Sequence, residues 1–193
     1  MFDLYQKDSL KSETRSKRGK GVRRRVEGTS RTPNNWKSFL RDDMNKTELF
    51  LFLADRIKDM DNASSIIVTK GEDAVCNKAR DLSGVSPCRH EEADTRLFVH
   101  TKDAVLEGYK TVIIKANDTD VVVIAVSVFS SLEELGLLKL WVTYGQGANA
   151  RWIPIHDVVS AMGPEKSSAL LFFHAFTGCD VISSFRGKSK KWA

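Results

Sequence analysis

The segment TVIIKANDTDVVVIAVSVF, residues 111–129, carries more of the fold than any other stretch of this chain. Thr111 to Lys115 is a β-branched run and predicts a strand. Two acids, Asp118 and Asp120, follow it. Val121 to Phe129 is apolar apart from Ser127, and a run of that kind has no decisive period, so it reads either as a buried strand or as a buried helix. Leu138 to Tyr144 predicts the next strand, and Gly145-Gln146-Gly147 the turn after it.

Outward from there, Pro154 to Met162 predicts a short helix. Pro164 to Phe176 predicts a clearer one, with proline in its permitted first turn. Upstream, a helical pattern opens at Glu92, with Ala93, Leu97, Thr101, Ala104 and Val105 on one side and Gly108 as the stop. Ser65 to Thr69 predicts a short buried strand. Asn45 followed by Glu48 predicts a capped helix start, with Leu49, Phe50, Leu53 and Ile57 as its apolar stripe. Strands separated by helices imply an α/β sandwich with a mainly parallel sheet. No internal repeat is visible.

The chain has 193 residues, 41% hydrophobic and 28% charged, which suffices for one domain with a core. Its formal charge of +5 is unevenly placed: residues 7–25 hold nine Lys or Arg against Asp8 and Glu13, a net of +7, and the remainder nets −2. A near-neutral body with one basic arm implies a localised polyanion contact. Lys11, Arg15 and Arg18 share one face if that arm is helical. Residues 26–35, VEGTSRTPNN, read as a connection rich in turn residues.

Several classes are excluded. The longest apolar stretch, Val121 to Phe129, is far short of the roughly 20 residues of a spanning helix, so no membrane contact is expected. The N-terminus lacks the apolar region of a signal peptide. Cys76, Cys88 and Cys179 form no CxxC pair and read as thiols in a reducing, intracellular compartment. Cys88 and His90 lack the second pair a structural zinc site needs. His90, His100, His156 and His174 have no nucleophile at a recognisable spacing, and His174 reads as a satisfied core residue. Gly145-Gln146-Gly147 lacks the continuation of a phosphate loop, which removes a nucleotide cofactor.

The acids are the informative feature. Asp3 follows an apolar residue, Glu91, Glu92 and Asp94 open a helix, Asp118 and Asp120 follow a strand, and Asp180 follows Gly178-Cys179. Ligand sites of open α/β sheets collect at the carboxyl ends of strands and the neighbouring helix starts. Close carboxylates repel one another unless cations occupy the cluster, and hard oxygen donors suit Mg²⁺ or Mn²⁺. Two such ions roughly 3.5 to 4 Å apart serve phosphodiester hydrolysis. Singly, a D-x-D is often only an Asx turn, and acids at a helix start are ordinary dipole partners.

In combination these residues resemble a known family. Phe2-Asp3 with Leu10-Lys11 and Arg15-x-x-Arg18, then Glu92-Ala93-Asp94, then Asp118-Thr119-Asp120, then Gly178-Cys179-Asp180 resemble the flap endonuclease-like branch of the PIN-domain nucleases. The resemblance runs over nearly the whole chain, 1–193, as a single domain: a basic helical gateway and connection at 7–35, an α/β core at 45–180, and a truncated helix-hairpin-like element at 181–193. It implies a three-layer α/β/α sandwich with a mainly parallel central sheet whose first strand is missing, and a helix over 120–129. It further implies a structure-selective nuclease with two divalent ions, Mg²⁺ or Mn²⁺, held by Asp3, Glu92, Asp94, Asp118, Asp120 and Asp180. Lys11 and Arg18 would steer the scissile phosphate, with Arg15 on the same face and Arg23, Arg24 and Arg25 as looser backbone contacts. Gly187, Lys190 and Lys191 fall where the family grips duplex backbone.

Leu4 stands where the family has glycine, Asp94 where it has glutamate, and Ser189 where a second glycine is expected. The implied partner is nucleic acid, DNA before RNA, and the implied setting is nuclear. Two other readings stay open: a catalytically degenerate nucleic-acid-binding domain, and a Toprim-like domain, which also pairs a glutamate with a later D-x-D.

Overall fold

In the computed structural model, which describes residues 1–5, 21–145 and 147–179, the segment quoted above forms the first strand and most of the helix of a β-α-β unit. The chain is a mixed α/β protein that divides into two compact units, Met1–Arg96 and Leu97–Ala193. Among the described residues it has six α-helices and two small sheets.

The first unit contains α1 (Trp36–Phe39), α2 (Asp43–Lys58), β1 (Ile67–Lys70) and β2 (Asp73–Cys76), and the start of α3 (Ala93–Leu106). β1 and β2 are an antiparallel hairpin with Lys70 opposite Asp73, and α2 packs on both strands. The two-residue loop puts Gly71 at φ +64, the left-handed conformation a tight hairpin turn requires at that position. Arg96 closes the turn from behind. Its Nη1 donates to Gly71 O at 2.6 Å, and its Nη2 donates to Glu72 O at 3.0 Å and Asp73 O at 2.8 Å. The side chain is fully buried, and burial pulls the guanidinium pKa below its ordinary value.

A second buried polar group, Asn45, organises the start of α2. Asn45 was expected to cap α2; the cap is Asp42, whose side chain accepts from Asn45 N at 3.0 Å. Asn45 sits instead inside the first turn, fully buried, with all its hydrogen-bonding capacity committed elsewhere. Its Oδ1 accepts from Arg24 N at 2.8 Å and Arg23 Nη1 at 2.9 Å, and its Nδ2 donates to Val22 O at 2.8 Å and Phe39 O at 3.0 Å. Glu48, one turn on, accepts from Val26 N at 3.0 Å and pairs with Arg23. Those two contacts hold its carboxyl below the usual range, the Val26 amide first. The resulting stabilisation is present above the unfolded carboxylate pKa and is lost as the pH falls through the depressed folded value. Residues 22–26 are thereby tied to α2.

The second unit contains the rest of α3, β3 (Thr111–Lys115), α4 (Thr119–Glu134), β4 (Lys139–Tyr144), β5 (Arg151–Pro154), α5 (Ile155–Met162) and α6 (Pro164–Phe176). The sheet order is β3-β4-β5, with β3 and β4 parallel and β4 and β5 antiparallel. A parallel neighbour demands a crossover, and that decides the ambiguous run: Val121 to Phe129 is helix, as the family resemblance implies. Val121, Ala125, Phe129 and Leu132 repeat at helical spacing and are buried with Leu137, Leu140, Val142 and Ile155 in one core. Each of the Val, Leu, Ile and Phe side chains among them contributes about 1.5 to 3 kcal/mol on burial. α4 is closed by Leu135 and Gly136, whose φ of +107 lets Leu137 N reach back to Leu132 O.

β2 and β5 were not anticipated. Both are four residues long and lack alternation, and each exists because it pairs antiparallel with a strand that was expected. The larger sheet therefore holds one parallel and one antiparallel pairing among the described residues. Among these residues, no helix is long and apolar enough to cross a membrane, and Cys76, Cys88 and Cys179 are free thiols.

Candidate acidic sites

In the second unit, Asp118 and Asp120 occupy the junction between β3 and α4. Ala116 N still bonds to Thr143 O at 3.1 Å, after which the chain leaves the sheet. Asp118 is extended, with φ −112 and ψ 134, and its side chain accepts from Asp120 N at 2.9 Å, capping α4. Asp120, in the first helical turn, is gripped by a residue 54 positions away: His174 Nε2 lies 2.8 Å from its Oδ1. A carboxylate oxygen only accepts, so the ring proton of His174 sits on Nε2. His174 is buried near the end of α6, where α6 packs on α4. The reading of His174 as a satisfied core residue is right as to burial, but its partner is one of the candidate acids. No spacing rule could have shown that. Beyond it, Gly178 has φ +98, and Asp180 lies outside the described residues.

The first unit has its own acids. Asp3 Oδ1 accepts from Ala93 N at 3.0 Å, so a residue 90 positions upstream caps α3. The capping is held by Leu4 N to Glu91 O at 2.8 Å, Phe2 N to Thr69 Oγ1 at 2.8 Å, and stacking of Phe2 on Phe50 at 4.4 Å. Glu92 and Asp94 flank Ala93, so Asp3, Glu92 and Asp94 attend one helix start, whose amide dipoles favour negative charge.

These acids supply the hard oxygen chemistry that Mg²⁺ or Mn²⁺ prefers. Asp118 Oδ1 is used by the cap and Asp120 Oδ1 by His174, and each carboxylate keeps a second oxygen. Two carboxylates from one junction supply donors of the type a divalent-ion shell uses. Among the described residues, no group of three or more His, Cys, Asp or Glu side chains gathers at metal-holding spacing.

The basic candidates divide by location. Lys11, Arg15 and Arg18, and Gly187, Lys190 and Lys191, lie outside the described residues. Arg23 is engaged internally by Asn45, Glu48 and Arg24 O. Arg24 and Arg25 are exposed, with Arg25 Nε 3.5 Å from Glu27. Comparison of the chain with protein-family models, curated proteins and solved structures finds no match.

Proposed function

We propose that this chain is a divalent-metal-dependent nuclease-like domain that hydrolyses phosphodiester bonds at DNA or RNA ends or junctions. The observation that supports this reading is the position of Asp118 and Asp120: both follow the carboxyl end of β3, at the start of the helix that crosses to a parallel neighbour. α/β sheets take their ligands at such junctions.

In this reading Asp118 and Asp120 offer their remaining oxygens to Mg²⁺ or Mn²⁺, and His174 keeps the Asp120 carboxylate in one orientation. Bound ions of this kind activate water and stabilise the leaving oxygen. The same reading gives metal-site roles to Asp3, Glu92, Asp94 and Asp180, has Lys11 and Arg18 steer the phosphate, and has Arg15 and the C-terminal Gly187, Lys190 and Lys191 contact the backbone. The reading extends to the flap endonuclease-like PIN architecture, a three-layer sandwich with a mainly parallel sheet, and to an intracellular, nuclear setting.

Asp118→Asn is the discriminating variant, because asparagine also caps helices well while removing the charge. With Mg²⁺, the wild-type chain is expected to cleave flap or single-stranded DNA, and Asp118→Asn to do so about 100-fold more slowly or worse. Equal cleavage by both proteins removes the metal-site assignment. Salt-sensitive binding without cleavage by the wild type favours the catalytically degenerate alternative.

A further inference from the structure

The segment pinned by Asn45 and Glu48 forms one wall of a groove unconnected with the acids. The other wall is the 31–39 segment, fixed by Asn35, whose side chain accepts from Ser38 N at 2.9 Å and caps α1. Between them is a cavity of about 210 Å³, lined by Arg24, Arg25, Arg31, Trp36, Phe39 and one acid, Glu27, among others. It adjoins a wider one of about 590 Å³ that shares Arg24, Arg31 and Phe39. The larger volume is in the range of small-ligand pockets, while Trp36 lines only the smaller cavity, so a base on Trp36 would occupy the narrow part and its phosphates the wider one. Trp36 is 43% exposed and stacks on the buried Phe39 with ring centroids 5.2 Å apart, so one indole face is backed and the residue remains accessible.

The charge is unbalanced. Among the described residues, neither the Arg24 nor the Arg31 guanidinium has a carboxylate partner, and the Arg25–Glu27 pair is loose and exposed. Unpaired arginines beside a supported aromatic face suit a ligand that is anionic and planar at once. Guanidinium matches phosphate oxygens in a bidentate fork, and a tryptophan face takes any base by stacking. A duplex keeps its bases stacked inside, where Trp36 cannot reach them. A phosphorylated peptide would satisfy the arginines but leave the ring uncovered.

We infer that this groove binds an unpaired nucleotide of a single-stranded nucleic acid, with the base on Trp36 and the neighbouring phosphates on Arg24 and Arg31. The site does not depend on the chain being a nuclease. Arg24 belongs to the basic run read from the sequence as a loose backbone contact; Arg31 and Trp36 do not.

The test is fluorescence anisotropy with the full chain in EDTA, titrating a labelled 12-nucleotide oligothymidylate, a duplex of the same length and a phosphoserine peptide. The single strand is expected to bind tightest. Trp36→Ala should weaken it about 10-fold while changing duplex binding less than about 2-fold, and Trp36→Phe should restore most of the loss. Arg31→Glu should weaken it about 10-fold and flatten the salt dependence by about one phosphate contact. Arg31 is exposed, so this variant and Trp36→Phe decide the matter if Trp36→Ala fails to fold. Wild-type single-strand affinity in Arg31→Glu and Trp36→Ala, equal losses for strand and duplex, or a preference for the phosphopeptide would overturn the inference.

Discussion

Arg96→Met should lower the stability of the first unit by about 3 kcal/mol or more, measured by denaturant unfolding. Methionine retains much of the apolar volume of the stem but none of the donors. Three carbonyls at the hairpin turn, Gly71 O, Glu72 O and Asp73 O, then lose a charged partner. Hydrogen bonds to charged groups are individually among the stronger ones, about 1.5 to 3 kcal/mol, and here several share one planar fork. Lysine should not substitute, because an ammonium group is a point donor and cannot span three acceptors in that geometry. Hydrogen exchange should quicken first at the β2 amides, which pair with β1 next to the turn. An unchanged unfolding midpoint in Arg96→Met would show that the clamp contributes nothing. The consequence for function lies one turn away: Arg96 fixes the beginning of α3, where Asp3 caps Ala93 between Glu92 and Asp94.

Asp120→Asn should separate fold from chemistry in the second unit. The amide oxygen of asparagine still accepts from His174 Nε2, and the first turn of α4 loses only a favourable dipole charge, worth about 0.3 to 1 kcal/mol. Stability should thus change little, while Mg²⁺-dependent cleavage falls about 100-fold or more because a hard anionic donor has become a neutral amide. Thermal unfolding and single-turnover cleavage measured on the same preparation check both halves. A large loss of stability with unchanged cleavage per folded molecule would make the His174–Asp120 pair a packing device only.

Local chemistry made much of this legible in advance. Thr111–Lys115 and Pro164–Phe176 have the bounds their residues predict, since a β-branched run and a proline at the first helical position act within their own segments. Val121 to Phe129 was undecidable locally, because a short run that is apolar but for Ser127 suits either element; the parallel pairing of β3 with β4 settles it. β2 and β5 carry charged or proline residues and become strands only through their partners. Asn45 illustrates competition between two adequate caps. Asp42 takes the helix end because Asn45 is drawn into four contacts with residues 22–24 and 39, none of them visible from spacing. For the acids, the residues were legible as a class, whereas what holds them was not: Asp3 on Ala93 and Asp120 on His174 are contacts between distant parts of the chain.

The central claim is that the junction of β3 and α4 holds a divalent ion through Asp118 and Asp120. Titrating Mn²⁺ into the full chain and reading free Mn²⁺ by electron paramagnetic resonance tests it without relying on a substrate. The wild type should remove Mn²⁺ from solution, and Asp118→Asn, with its helix cap intact, should bind it at least about 10-fold more weakly. Equal Mn²⁺ affinity in the two proteins, or no binding by the wild type at millimolar Mn²⁺, would contradict the account.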